Sequence, residues 1–130
     1  MPLRKILHVD DDHVMRMMTR TALTRSPQGF EIESCLSGKE ALEKISGFSP
    51  DLLLVDMIMP IMDGPAFVHA VRQLDDPLRS KTPVVFITGK DEIHIRDRDI
   101  LEPVLGIIHK PFSASQLGND LAALWNGYKK

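Results

Sequence analysis

The chain is poor in cysteine, in net charge and in long apolar runs, and each shortage removes a class of function. One cysteine, Cys35, stands among 130 residues. No disulfide can therefore form within the chain, and there is no thiol pair for zinc. In "FEIESCL" Cys35 reads as a small apolar side chain on or near a strand. Lys and Arg number 16 against 18 Asp and Glu, a formal charge of -2. That balance argues against direct binding of nucleic acid, whose affinity rests largely on neutralised phosphates. No apolar run approaches about 18 residues, so no membrane span is expected. The opening "MPLRKILHVDDD" runs into acids and does not read as a signal peptide. The reducing cytoplasm is the expected compartment. No repeat or linker-like stretch interrupts the chain, and none of the five histidines forms a spacing such as His-x-x-x-His.

What is present is alternation. A hydrophobic share of 43% with 26% charged residues is ordinary for a globular protein, and the length suits one domain over residues 1–130. Short runs rich in Val, Ile and Leu fall at Lys5–Val9, Phe30–Leu36, Leu52–Val55, Val84–Ile87 and Val104–Ile108. Helical spacing separates them: Val14, Met18 and Ala22; Ala41, Leu42 and Ile45; Phe67, Val71 and Leu74; Leu117, Leu121, Leu124 and Trp125. The first of these stripes is narrow, with Arg16 and Arg20 on another face. "SGKE" (Ser37, Glu40) and "SASQ" (Ser113, Gln116) match capping boxes, and Gly64-Pro65 suits a first helical turn. The fourth helical segment, "DEIHIRDRDIL", has only Ile93, Ile100 and Leu101 as apolar positions and is expected to be the most loosely held. Five strand-helix units in alternation predict an α/β fold, a parallel sheet covered on both faces.

In such a sheet, ligands bind beyond the carboxyl ends of the strands. Asp10, Asp11 and Asp12 follow the first strand, Asp56 the third, Thr88 the fourth and Lys110 the fifth. Each has an ordinary explanation alone; Asp12, for one, is expected to cap the first helix. Together they bring carboxylates, a hydroxyl and an ammonium to one edge. Clustered carboxylates favour a hard divalent cation such as Mg²⁺, which takes one or two of them together with water and a phosphate oxygen. A carboxylate can also act as a nucleophile and form an aspartyl phosphate. Attack on an anionic phosphoryl group then needs the charge neutralised by metal and Lys, with a hydroxyl on one phosphoryl oxygen. Asp56, ending the apolar run of "LLLVDMIMPIMDG", is the candidate nucleophile, and Asp10 and Asp11 are candidate metal-binding acids.

Four ordered motifs, "ILHVDDD", "LLLVDMIMPIMDG", "PVVFITG" and "HKPF", resemble those of the receiver domain of two-component response regulators of the chemotaxis-regulator kind. The resemblance covers essentially the whole chain. It implies a flavodoxin-like (βα)5 fold with strand order 2-1-3-4-5, and phosphorylation of Asp56 by a histidine kinase or histidine phosphotransfer protein. It also implies that Asp11, Asp56 and the backbone carbonyl of Ile58 ligate Mg²⁺, and that Asp10 reaches the metal through water. Thr88 matches the switch hydroxyl, Lys110 the phosphate-binding lysine, and the Lys110–Pro111 bond one that is cis in the family. The position usually held by an aromatic switch residue is Ile107. Ile58 and Lys90 occupy the two positions that tune phosphate lifetime, and slow self-dephosphorylation is expected. The surface of the fourth helix, fifth strand and fifth helix is the expected contact for a downstream protein target. Met57, Met59 and Met62 are candidate partner-facing residues. The chain is read as a signalling phosphoacceptor and not an enzyme. A metal-dependent phosphohydrolase and a receiver-like module that binds partners without phosphorylation are the alternatives. Whether the chain stands alone or is part of a larger regulator or hybrid kinase is left open, as is its oligomeric state.

Overall fold

The computed structural model describes residues 2–89 and 98–129. Strands β1 (Lys5–Val9), β2 (Glu31–Cys35), β3 (Leu52–Asp56), β4 (Val84–Thr88) and β5 (Val104–His109) form one sheet in the order β2-β1-β3-β4-β5. All neighbours run parallel, with Ile6 opposite both Ile32 and Leu52, and Leu54 opposite Val85. Helices α1 (His13–Thr24), α2 (Gly38–Phe48), α3 (Gly64–Arg72) and α4 (Arg98–Leu101) lie in the crossovers that parallel pairing requires, and α5 (Ala114–Lys129) follows the last strand. From β1 the chain steps outward to β2, then returns past β1 to β3. The strand order thus reverses between β1 and β3, and a crevice opens there at the carboxyl edge.

Strand alternation divides the core into two layers. Leu7, Val9, Leu53, Val55, Val84 and Phe86 meet Ala41 and Ile45 of α2 and Phe67, Val68 and Val71 of α3. On the other face Ile6, Ile32, Leu52, Leu54, Val85 and Ile87 meet Leu23 of α1 and Leu117, Leu121 and Trp125 of α5. Every residue of β3 and β4 is buried. Each fully buried aliphatic side chain stabilises by about 1.5–3 kcal/mol, so the middle strands are the firmest platform in the molecule. Cys35 is buried in the first layer, where burial pushes its thiol up to about 12.

Helix starts follow the sequence closely. Asp12 Oδ1 accepts from the N–H groups of Val14 and Met15 at 2.9 and 3.2 Å. Ser37 Oγ accepts from Glu40 N–H at 3.1 Å, while the Glu40 carboxylate returns to Leu36 N–H at 2.9 Å. At Ser113 the expected box does not form, because its hydroxyl lies 3.0 Å from that of Ser115 instead. The Lys110–Pro111 peptide is cis, as is Glu102–Pro103.

The stripe expected to bury α1 is wrong. Val14 and Met18 are 60% and 52% exposed, and Met17 is exposed beside them. The helix instead turns Thr19 and Leu23 inward. The cause is polar: Arg16 Nη1 donates to the Asp10 carbonyl at 2.8 Å and Arg20 Nη1 to the Ile32 carbonyl at 3.2 Å. Two charge-assisted bonds to carbonyls at the first two strands outweigh burial of a narrow apolar row. Of the fourth helical segment, Leu101 is buried and Ile100 exposed. Lys90, Ile93, His94, Arg96 and Asp97 lie outside the described residues.

The long loop before β4 contains a 3-10 turn at Arg79–Lys81. Arg72, at the end of α3, donates to the carbonyls of Thr82 at 2.7 Å, Leu101 at 3.0 Å, Ser80 at 3.2 Å and Pro103 at 3.4 Å. Burial lowers its guanidinium to about 10.

Candidate functional site

The β1 end of the site is built by backbone bonds. Asp10 N–H donates to the Cys35 carbonyl at 3.1 Å, which continues the β1–β2 ladder for one residue past the strand. Its Oδ1 accepts from Asp12 N–H at 2.9 Å, and Arg16 holds its carbonyl from α1. Asp10 is fully buried and Asp11 exposed.

Asp56 closes β3 at the neighbouring position. The ladder runs on for one residue beyond it, Met57 N–H to the Ile87 carbonyl at 2.9 Å, and Gly64 N–H then donates to the Met57 carbonyl at 3.0 Å. The loop from 57 to 64 is thereby pinned shut against the strand. A Cβ on Gly64 would stand 2.5 Å from the Asp56 carbonyl oxygen and 3.0 Å from Met57 Cα, so this closure needs glycine. Ile58 N–H lies 3.4 Å from Asp56 Oδ1.

Lys110 arrives from the far side. Its N–H donates to the Thr88 carbonyl at 2.6 Å, just beyond the paired ends of β4 and β5. Its Nζ lies 3.4 Å from Asp56 Oδ2 and 3.7 Å from Asp10 Oδ2. Asp10, Asp11 and Asp56 each offer a carboxylate oxygen within 4.8 Å of the others. Three carboxylates around one ammonium leave a net negative pocket. Burial, foremost, and the charges of Asp56 and Asp11 raise Asp10 to about 6, against the opposing pull of the Asp12 N–H and Lys110. Asp10 Oδ2 is buried with no hydrogen-bond partner. A buried, unsatisfied carboxylate oxygen in an all-oxygen donor set fits a hard divalent cation, Mg²⁺ included.

The structure thus brings Asp10, Asp11, Asp56 and Lys110 to one edge. Thr88 ends β4, 1% exposed, at the same edge. Among the described residues, a Cβ on Gly89, next to Thr88, would meet nothing within 4 Å. Ile107 is half-buried against the core layer of α2 and α3. Met59, expected to face a partner, is a core residue at 7% exposure, and Met57 and Met62 are half-buried against the same layer.

Three residues at the site were not singled out for it in the sequence. Arg16 holds the Asp10 carbonyl, and only its place in the helical face hinted at this. His8, two residues before Asp10, is fully buried with neither ring nitrogen bonded. Burial, then the charges of Lys110 and Arg16, lower it to about 3. Ile61 has a left-handed backbone, φ 70, and a fully exposed side chain; its signal was an apolar β-branched residue inside "MPIMDG".

Comparison with known proteins agrees with this geometry. A family model described as response regulator receiver domain matches residues 6–122. Response regulator MprA of Mycolicibacterium vanbaalenii is 32% identical over 124 residues, covering 95% of this chain and 51% of MprA. The sensor histidine kinase TmoS of Ectopseudomonas mendocina is 31% identical over 113 residues, 87% of this chain and 11% of TmoS. The chain therefore spans about half the length of one relative and about a tenth of the other. Among solved structures, the chemotaxis response regulator CheY4 of Vibrio cholerae superposes with a TM-score of 0.79 at 29% identity, covering 94% of this chain and 98% of CheY4. A CheY-like receiver domain protein of Methanospirillum hungatei gives 0.77 at 28% identity, with 95% and 94% covered.

Proposed function

The chain belongs to the response regulator receiver family, and from that premise we propose that Asp56 accepts a phosphoryl group from a phosphohistidine on a histidine kinase or histidine phosphotransfer protein. The observation that carries this reading is the position of Asp56 Oδ2, 3.4 Å from Lys110 Nζ in a pocket of three carboxylates. The carboxylate attacks phosphorus in line with the nitrogen–phosphorus bond, which breaks, and the donor imidazole leaves. Lys110 offsets the charge on one phosphoryl oxygen, and the Thr88 hydroxyl donates to another. Gly89, having no Cβ, leaves space for the group.

Asp10, Asp11, Asp56 and the Ile58 carbonyl would hold Mg²⁺, which supplies charge neutralisation for the transferred group. In this reading Asp10 and Asp11 have no other chemical task, and the chain is a signalling phosphoacceptor that assists its own transfer and dephosphorylation. Ile58 is apolar and cannot orient an attacking water, so the phosphate is long-lived. Residues 1–130 act as one receiver domain in the cytoplasm. Among the described residues no helix is long and apolar enough to cross a membrane.

The donor approaches across the carboxyl edge of the sheet. The exposed side chains Val14, Met17 and Met18 of α1 flank it, beside a cavity of about 290 Å³ lined by Met15, Met18, Lys110 and Phe112. Once phosphorylated, Thr88 moves toward the phosphate and Ile107 repacks into the space it leaves. The surface of α4, β5 and α5 then changes for a downstream protein target.

Intact mass after incubation with acetyl phosphate and Mg²⁺ tests the reading. A gain of about 80 Da, lost in Asp56→Asn and without Mg²⁺, is the expected result. No adduct under rapid quenching would move the assignment to a receiver-like module that binds partners without phosphorylation.

A further inference from the structure

Ile61 sits at the tip of the loop that begins at the acceptor. Met62 N–H donates to the Pro60 carbonyl at 2.7 Å, across a single residue. With φ at 70, Ile61 is the centre of a γ-turn of the rare, strained hand. A β-branched side chain disfavours this backbone more than almost any other residue. A lone exposed isoleucine is ordinary. One that is strained as well, with its side chain wholly in solvent, gains nothing inside the molecule to offset the strain. Ile58, three residues earlier on the same loop, is exposed as well. Backbone outliers of this kind collect at sites of contact and function.

The position says what covers it. The loop is pinned to β3 by Gly64 N–H and the Met57 carbonyl, so its tip is held five residues along the chain from Asp56, on a loop that leaves β3 at the rim of the pocket. Asp56 is only 7% exposed. A protein can bring a phosphohistidine to it only by laying its own surface on that rim. A small phosphodonor can enter without touching it.

We propose that Ile61 is a specificity-determining contact, an apolar knob that seats in a recess beside the reactive histidine of the protein phosphodonor, with Ile58 lining the same contact. The proposal rests on Asp56 being the acceptor and adds to it a reason why the chain takes phosphate from one protein donor and not another. The contact is apolar and fixed before binding, so it costs little ordering at the moment of docking.

The experiment compares the unmodified chain with Ile61→Asn, which suits the left-handed backbone but removes the apolar tip, and Ile61→Leu, which keeps the tip. Each is treated with acetyl phosphate and Mg²⁺, and separately with a panel of purified, autophosphorylated histidine kinases and phosphorylated histidine phosphotransfer proteins. The expected result is equal labelling of all three by acetyl phosphate. Transfer from the protein donor then falls roughly tenfold or more in Ile61→Asn, a loss of about 1.4 kcal/mol in the transition state, and stays within about twofold in Ile61→Leu. A melting curve for Ile61→Asn at or above that of the unmodified chain excludes misfolding. Full-rate protein transfer to Ile61→Asn overturns the proposal. So does equal loss in both variants, which would assign the effect to the turn, and so does a chain that acetyl phosphate labels but no protein donor does. Failure of acetyl phosphate to label any of the three removes the acceptor reading itself, and the knob with it.

Discussion

His8 in β1 and Asp10 just past its end stand two residues apart and respond to acid in opposite senses. His8 is held neutral to about 3, so between there and its ordinary 6.5 the unfolded chain binds a proton that the folded chain refuses. Its contribution to stability is present above 6.5 and lost as pH falls toward 3. Asp10 is raised to about 6 from 3.8. Its contribution is present below 3.8 and lost as pH rises through 6. Between about pH 4 and 6 the two slopes cancel. In metal-free protein, urea unfolding followed by circular dichroism should therefore show little slope from this pair. His8→Leu should expose the Asp10 slope, with stability falling as pH rises, and should raise overall stability by about 1 kcal/mol by removing two unsatisfied nitrogens. Asp10→Asn should expose the reverse. A His8→Leu curve parallel to that of the unmodified chain would refute the pairing. Asp56 and Asp10 were legible in the sequence because a carboxylate directly after an apolar run is a local anomaly. His8 was not, since whether a buried imidazole finds a partner depends on α1 and β2 and not on its neighbours in the chain.

At the scale of elements, capping and alternation carried most of the information. Ser37, Asp12 and Pro65 mark helix starts through interactions spanning a few residues, and the five apolar runs mark strands to within about a residue or two. The rotation of α1 was hidden because it depends on two arginines reaching carbonyls of other segments. Arg72 is the same kind of device on the opposite side of the sheet. It joins the end of α3 to the turn before β4 and to the junction of α4 and β5 through four carbonyls. Arg72→Met should cost about 3 kcal/mol, the worth of one or two charge-assisted bonds plus carbonyls left unpaired. Amide exchange at Leu101 and Val104 should quicken more than in β1. Unchanged exchange there would mean that the junction holds without the guanidinium. Arg72→Lys should recover only part of the loss, since one ammonium cannot span four acceptors.

The whole molecule is a rigid sheet that carries a repulsive cluster at one edge. Strand order and the edge could be read from sequence because parallel crossovers leave few alternatives. The distances among the three carboxylates could not. Because the cluster is strained by its own charge, a divalent cation should stabilise the fold. At ten times its dissociation constant Mg²⁺ should contribute about 1.4 kcal/mol, raising the melting midpoint by roughly 5 °C. Chelation should reverse this and Asp11→Asn should abolish most of it, as calorimetric scans with and without EDTA would show. An equal rise in Asp11→Asn would place the ion elsewhere. The position of Trp125 has a practical corollary. The single indole lies eleven residues into α5, about 16 Å along its axis, under the Lys129 ammonium at 5.0 Å and beside Tyr128. The acids are at the end of the sheet where α5 begins. Intrinsic emission therefore reports whether this chain is folded and is silent on what occupies Asp56, so an optical assay of loading has to bring its own chromophore to the rim.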